Sequence, residues 1–252
     1  MFEAIILLIA GIGAGIVTGL VGASAVVFSA PLLIMFLGYS PYSAIAFSLA
    51  TDVVASIVAT IIYHRNKNLR LKESLFLLLS ALIGVVAGSF ISLGIPSKTL
   101  GIATGIGIAL AGLGIYKRKT QNKSKEVIIF RKNRGFFIVL FGLIIGLIAG
   151  IFGAGGGIMI LLVLVLVLNY KTHQAIGTSV LLMIFIALFG ATAHFINIEF
   201  SLLNLFILSF GALFGSLFAA RYANKIDEKK LNRIVGVIVI VIGLTSTMNQ
   251  LI

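Results

Sequence analysis

Apolar runs separated by short polar turns fill most of the chain. The first run covers Phe2 to Leu37, with Gly11, Gly13, Gly15, Gly19 and Gly22 in its first part and Ser24, Ser29 and Pro31 after them. After the turn Gly38-Tyr39-Ser40-Pro41, apolar spans are predicted at 42–63, 74–93 and 99–116. The stretch Lys117 to Arg134 is the one long polar segment and holds eight basic residues. The pattern then restarts. A long run from Gly135 to Leu168 is broken at Gly153-Ala154-Gly155-Gly156-Gly157, and spans follow at 174–195, 201–220 and 231–250. About 20 apolar residues, rising 1.5 Å each, cross a hydrocarbon core of roughly 30 Å. The pattern predicts an all-α polytopic membrane protein, one transmembrane domain over 1–252.

Composition sharpens this reading. Of 252 residues 60% are apolar and 10% charged, with a mean hydropathy of +1.20. Soluble domains run nearer half apolar and a quarter charged, and disorder requires low hydrophobicity. With no cysteine, disulfides and cysteine-ligated metals are excluded. Three scattered histidines give no metal-ligand spacing. No P-loop and no nucleophile–base pair on one helix face are present, so neither an enzyme nor a cofactor is expected. The net charge of +12 would suggest nucleic acid in a soluble protein. Here the basic residues lie between apolar runs, as cytoplasmic loops require. The partner expected is the lipid bilayer, not nucleic acid, and the oligomeric state is not legible.

The chain contains an internal repeat that aligns without a gap at an offset of 131. Gly11, Gly15, Gly19 and Gly22 fall on Gly142, Gly146, Gly150 and Gly153; Tyr39 falls on Tyr170; Ala44, Ile45 and Ser48 fall on Ala175, Ile176 and Ser179. Repeat 1 is 1–116, 117–134 is a basic cytoplasmic linker and repeat 2 is 135–252. Placing the loops 64–72, 117–134 and 221–233 in the cytoplasm puts every basic residue but Lys98 on that side. The loops alternate correctly if each glycine-broken run enters and returns as a hairpin followed by three transmembrane helices. The repeats are then inverted, as in many transporters. A single tilted span in place of each hairpin is the alternative. The protein is expected to be multi-pass in the cell (plasma) membrane.

The candidate chemistry lies at the glycine clusters. A helix broken inside the membrane leaves free N–H groups at the start of the next half-helix, and these with the helix dipole attract anions. Gly22, Ser24, Gly153, Gly155, Gly156 and Gly157 are the substrate-binding candidates. Gly11, Gly15, Gly19, Gly142, Gly146 and Gly150 read better as helix-packing positions. Ser48, Thr51, Thr178 and Ser179, on the spans after the broken runs, are further candidates; back-bonding to their own helix is the plainer reading. Asp52 is the one acid in mid-span, costing at least ~2.5 kcal/mol if ionised at bilayer depth. It is the candidate ion-coupling residue, for a proton or a cation.

These motifs resemble the TauE/SafE family of sulfite and organosulfonate exporters, also called the toluene sulfonate uptake permeases. The resemblance rests on the ladder Gly142-x3-Gly146-x3-Gly150 closing in the cluster 153–157, and on Ala175-Ile176-Gly177-Thr178-Ser179 opening the next span. Repeat 1 departs from the pattern with Ser24-Ala25-Val26 in place of three glycines and Phe47 in place of Thr; repeat 2 has Leu162 where a Pro is usual. The resemblance implies transport of sulfite or a small sulfur-containing organic anion, coupled to an ion. With Asp52 the expectation is a proton-coupled carrier working by alternating access, the anion held near the midplane. An uncoupled anion channel, or a carrier of a different small ion, is the alternative.

Overall fold

The computed structural model describes residues 2–71, 74–94, 97–117, 134–153, 156–168, 170, 172–196, 198, 201–223 and thirteen separate positions between 225 and 248. The described elements are helices: α1 (Phe2–Val21), α2 (Val26–Leu37), α3 (Pro41–Arg65), α4 (Leu75–Leu93), α5 (Ser97–Tyr116), α6 (Arg134–Phe152), α7 (Gly156–Leu166), α8 (Thr172–Phe195) and α9 (Leu202–Ala223). Residues 118–133 of the expected linker 117–134 and most of the span 231–250 lie outside the described residues. Six of the helices, α1, α3, α4, α6, α8 and α9, are long and apolar enough to cross a membrane. The protein is a multi-pass, all-helical membrane protein.

Local chemistry sets the ends. Ser40 caps α3 by accepting the Ser43 N–H at 3.1 Å, and Pro41 fills the first helical position, where no N–H is needed. α3 therefore starts a residue earlier than its hydropathy suggests. It runs on to Arg65 and stops where Lys67 turns left-handed (φ 58°), with the Asn68 N–H returning to the Tyr63 carbonyl at 2.9 Å. α2 ends at Gly38 (φ 66°), after which the Tyr39 N–H bonds the Leu33 carbonyl at 3.2 Å. The same bond closes α7, from the Tyr170 N–H to the Leu164 carbonyl at 2.9 Å, 131 residues later.

The first broken run reverses direction. The Asn204 side-chain amide donates to Glu3 at 2.6 Å and to the Tyr39 hydroxyl at 2.8 Å. The start of α1, the end of α2 and the start of α9 thus meet at one end of the molecule. Gly13 leaves room for the Phe28 ring between the two arms. Burial pushes the Tyr39 phenol up from its ordinary value, so it remains protonated in this clasp.

The halves are interlocked. Gly11, Gly15 and Gly19 of α1 lie against the carbonyls of Leu208, Ala212 and Ser216 on α9. Gly142, Gly146 and Gly150 of α6 lie in the same way against Leu77, Ala81 and Val85 on α4, each pair displaced by 131. The glycine ladders are packing surfaces: a Cβ there would overlap main-chain atoms of the neighbouring helix. α3 and α8 run antiparallel through the centre, with Gly190 against Leu49 at one level and Gly177 against Tyr63 at another. Leu33, Ile45, Leu49, Ile160, Leu161 and Leu164 are fully buried around them. Phe76, Ile83, Phe90, Leu202, Phe206 and Phe218 cover the outside, where only lipid can accept so much apolar surface.

Candidate functional site

The two helix breaks meet inside the bundle. Gly22 and Gly153 end the first arms in the left-handed region, at φ 69° and 64°, where glycine carries no Cβ penalty. A side chain at Gly22 would meet Ser179 and Ile176; one at Gly153 would meet Ile45, the repeat partner of Ile176. Gly157, near the start of α7, sits against the Gly22 carbonyl and the backbone of Ala23 and Ser24. The glycines let one tip touch the other.

Asp52 is the charged centre of this junction. It comes from the middle of α3, is fully buried, and is ringed by neutral donors from three elements. The Ser24 hydroxyl donates to Oδ2 at 2.7 Å; Thr18 and Ser56 donate to Oδ1 at 3.2 and 3.4 Å. The Ala25 N–H, at the start of α2, also donates to the carboxylate. In half 1 the anion-attracting end of the short helix is thus occupied by the protein's own carboxyl group. In half 2 the residue matching Asp52 is Met183, whose sulfur lies 3.6 Å from where a Cβ on Gly156 would stand.

The Ser24 hydroxyl oxygen has a second neighbour, the Gly153 carbonyl at 3.3 Å. With Asp52 ionised, the Ser24 proton points to the carboxylate. With Asp52 protonated, the acid donates to Ser24 and the Ser24 proton is free to bond Gly153. One proton therefore decides whether Ser24 bonds within its own half or across to the other tip.

The sequence candidates divide accordingly. Gly22, Ser24, Asp52, Gly153 and Gly157 meet at the junction, with Ser179 beside Gly22 and Gly156 beside Met183. Gly155 lies outside the described residues. Thr51 back-bonds to the Phe47 carbonyl at 2.8 Å and Ser179 to the Ile176 carbonyl at 2.9 Å, each within its own helix. Thr178 is engaged elsewhere: its hydroxyl accepts the Arg70 N–H at 3.1 Å, tying the α3–α4 loop to α8 while the Arg70 guanidinium lies over the Tyr170 ring. Ser48, one turn before Asp52, is buried without a hydrogen-bond partner. Thr18, Ser56 and the Ala25 N–H were missed by the sequence reading. Ser56 was legible, four residues after Asp52 on one helix face. Thr18 was hidden within the glycine ladder.

Comparison with known proteins decides the family. Residues 7–246 match the family model described as "Sulfite exporter TauE/SafE". The chain belongs to the TauE/SafE family. Relatives carry the same general description: it is 24% identical over 260 residues to "Probable membrane transporter protein YunE" of Bacillus subtilis, covering 95% of each chain. It is 26% identical over 258 residues to "Probable membrane transporter protein MJ0441" of Methanocaldococcus jannaschii, covering 95% of this chain and 93% of that one. A "Probable membrane transporter protein" of Xylella fastidiosa is 27% identical over 241 residues, covering 91% and 89%. No solved structure matches significantly. As a TauE/SafE protein the chain is a membrane transporter, and its environment is the lipid bilayer.

Proposed function

We propose that the chain is a secondary active, proton-coupled carrier of sulfite or a small sulfur-containing organic anion in the plasma membrane. The observation that carries this reading is the buried carboxyl group of Asp52 beside the contact between two helix breaks, bonded to Ser24 of one tip, whose hydroxyl is in turn 3.3 Å from the Gly153 carbonyl of the other. In mid-membrane such a group marks an ion path. The anion takes the N–H groups of the short half-helix in half 2, Gly155–Gly157 above all, with Ser24, Ser48 and Ser179 as hydroxyl donors. The halves 1–116 and 135–252 act as inverted repeats about the 117–134 linker. The loops 64–72, 117–134 and 221–233 are cytoplasmic. Ser24, Asp52 and Ser179 are fully buried, so access from either side requires a tip to move. That requirement supports alternating access over an open channel. The absence of a catalytic constellation in the sequence supports transport without enzymatic chemistry.

The test is flux in liposomes. Purified protein should move sulfite or a short sulfonate saturably, faster with an imposed pH gradient. Asp52→Asn should abolish the response to the gradient. Saturable flux that ignores the gradient in the wild type would remove proton coupling. Linear flux would replace the carrier with a channel, and no flux of any sulfur anion would remove the substrate.

A further inference from the structure

Asp52 stands in a row of hydroxyls. Ser48, Asp52, Ser56 and Thr60 follow one another at four-residue spacing, each beside the next on a stripe that winds slowly around α3. The row is about 18 Å long, over half the thickness of a bilayer core. Ser48, Asp52 and Ser56 are fully buried, and the Thr60 hydroxyl oxygen is closed from solvent. The matching positions on α8 are Ser179, Met183, Ala187 and Ala191, so the row exists once in the molecule.

Its two outer members are unusual for this chain. Several other helical hydroxyls bond a carbonyl three or four residues back, Ser29 to Ala25, Thr51 to Phe47, Ser80 to Phe76 and Ser179 to Ile176. Ser48 and Thr60 have the same option and do not use it; both oxygens are buried with no hydrogen-bond partner among the described residues. A buried hydroxyl left unpaired costs about 1–3 kcal/mol. An orphan of this kind in a native fold requires an explanation, and bound water or an ion is one that two hydroxyls flanking a buried carboxyl group can supply. Among the described residues, the side chains that reach α3 from its neighbours bring hydroxyls: Thr18 from α1, Ser24 from the break before α2, and Ser216 from α9, which is held on the Ala55 carbonyl at 2.6 Å, while the charged residues of the helices packed on α3, Glu3, Lys98 and Arg221, stand at helix ends. Besides Asp52, the titratable side chains buried nearby among the described residues are Tyr63, on the Gly19 carbonyl, and Tyr170 at one end. His194, between Gly190 and Ser92, lies at the other.

We infer that Ser48 and Thr60 each bind water inside the membrane and that these waters, with Ser56, form the proton path to Asp52. Each hydroxyl accepts a proton on its oxygen and releases its own, so the row carries charge without moving a residue. Ser48 serves Asp52 from the end of the molecule that holds Glu3, and Thr60 from the end that holds Arg70. The inference deepens the coupling role of Asp52 and rests on that reading for its purpose, though not for its test.

The test is hydrogen–deuterium exchange at the Asp52 carboxyl, followed by infrared spectroscopy of the purified protein in lipid. The protonated-carboxyl band is assigned by its loss in Asp52→Asn. Ser48→Ala combined with Thr60→Val should slow its exchange roughly tenfold or more, a barrier increase of about 1.4 kcal/mol. Ser29→Ala, equally buried but self-bonded, should exchange like the wild type. Thr60→Val alone, a hydroxyl exchanged for a methyl, serves if the double variant does not fold. Wild-type exchange in the variants, or equal slowing in Ser29→Ala, overturns the path. So does the absence of any exchangeable buried carboxyl band in the wild type. Slowed exchange in a protein that moves no sulfur anion would keep the path and discard the substrate.

Discussion

Single residues set the tightest constraints at the three left-handed glycines among the described residues, Gly22, Gly38 and Gly153. Gly38 has open space around its α-carbon, while Gly22 and Gly153 have none. Gly38→Ala therefore isolates the backbone cost of a left-handed alanine, about 1–2 kcal/mol. Gly22→Ala and Gly153→Ala add collisions with Ser179 and Ile45 and should cost clearly more. Thermal unfolding in one detergent should rank Gly38→Ala as the mildest of the three; equal losses would mean that the tips are not packed as described. This scale also shows where the sequence could be read and where it could not. The offset alignment found Gly22 and Gly153, because a backbone requirement leaves glycine as its trace. Asp52 stood out because a carboxyl in an apolar span is costly. Of its donors, Ser56 is readable from its place a turn after Asp52, whereas Thr18 does not stand out, an ordinary hydroxyl whose meaning comes from a neighbour 34 residues distant. The fate of Thr178 was invisible, since it depends on a loop 108 residues earlier.

Among elements, the strongest associations join different halves. The first long helix of each half lies along the fourth helix of the other, α1 on α9 and α6 on α4, glycine against carbonyl. Such contacts bring the main chains close and add weak Cα–H···O bonds. They also make the ladders intolerant of any side chain. Gly15→Val and Gly146→Val should each separate a helix pair and sharply lower the yield of monodisperse protein. Gly107→Val and Gly114→Val, on α5 with nothing within 4 Å, should be recovered at near wild-type yield. Comparable losses at all four would point to helix propensity in place of packing. The ladders were legible as packing surfaces from their spacing, but not their partners. A period of four names a contact face and leaves the neighbouring helix unspecified. The hairpin form of the first run was equally underdetermined. Loop charge favoured it; the shared bonds of Glu3 and Tyr39 to Asn204 give it geometry.

At the scale of the molecule, charge and topology make one joint statement. Glu3, Tyr39 and Asn204 lie at one end, with the His194–Tyr42 stack at 4.6 Å. Arg70, Tyr170 and Thr178 lie at the other, where α3 ends and α4 and α8 begin. Lys98 begins the helix that starts at the first end, while Arg65, Lys67 and Arg221 close helices that finish at the second. If the bilayer reads this asymmetry as it reads others, the Arg70 end faces the cytoplasm. The chain has no cysteine of its own, so single cysteines report orientation against no background. Lys98→Cys and Ile196→Cys should react with a membrane-impermeant maleimide in intact cells. Lys67→Cys and Lys225→Cys should react only in inside-out vesicles. The opposite pattern would reverse the molecule in the membrane and leave the packing untouched, because no helix contact refers to the bilayer. Labelling of one member of each pair from the wrong side would instead break the shared-end geometry, and with it the hairpin that brings Glu3 to Tyr39.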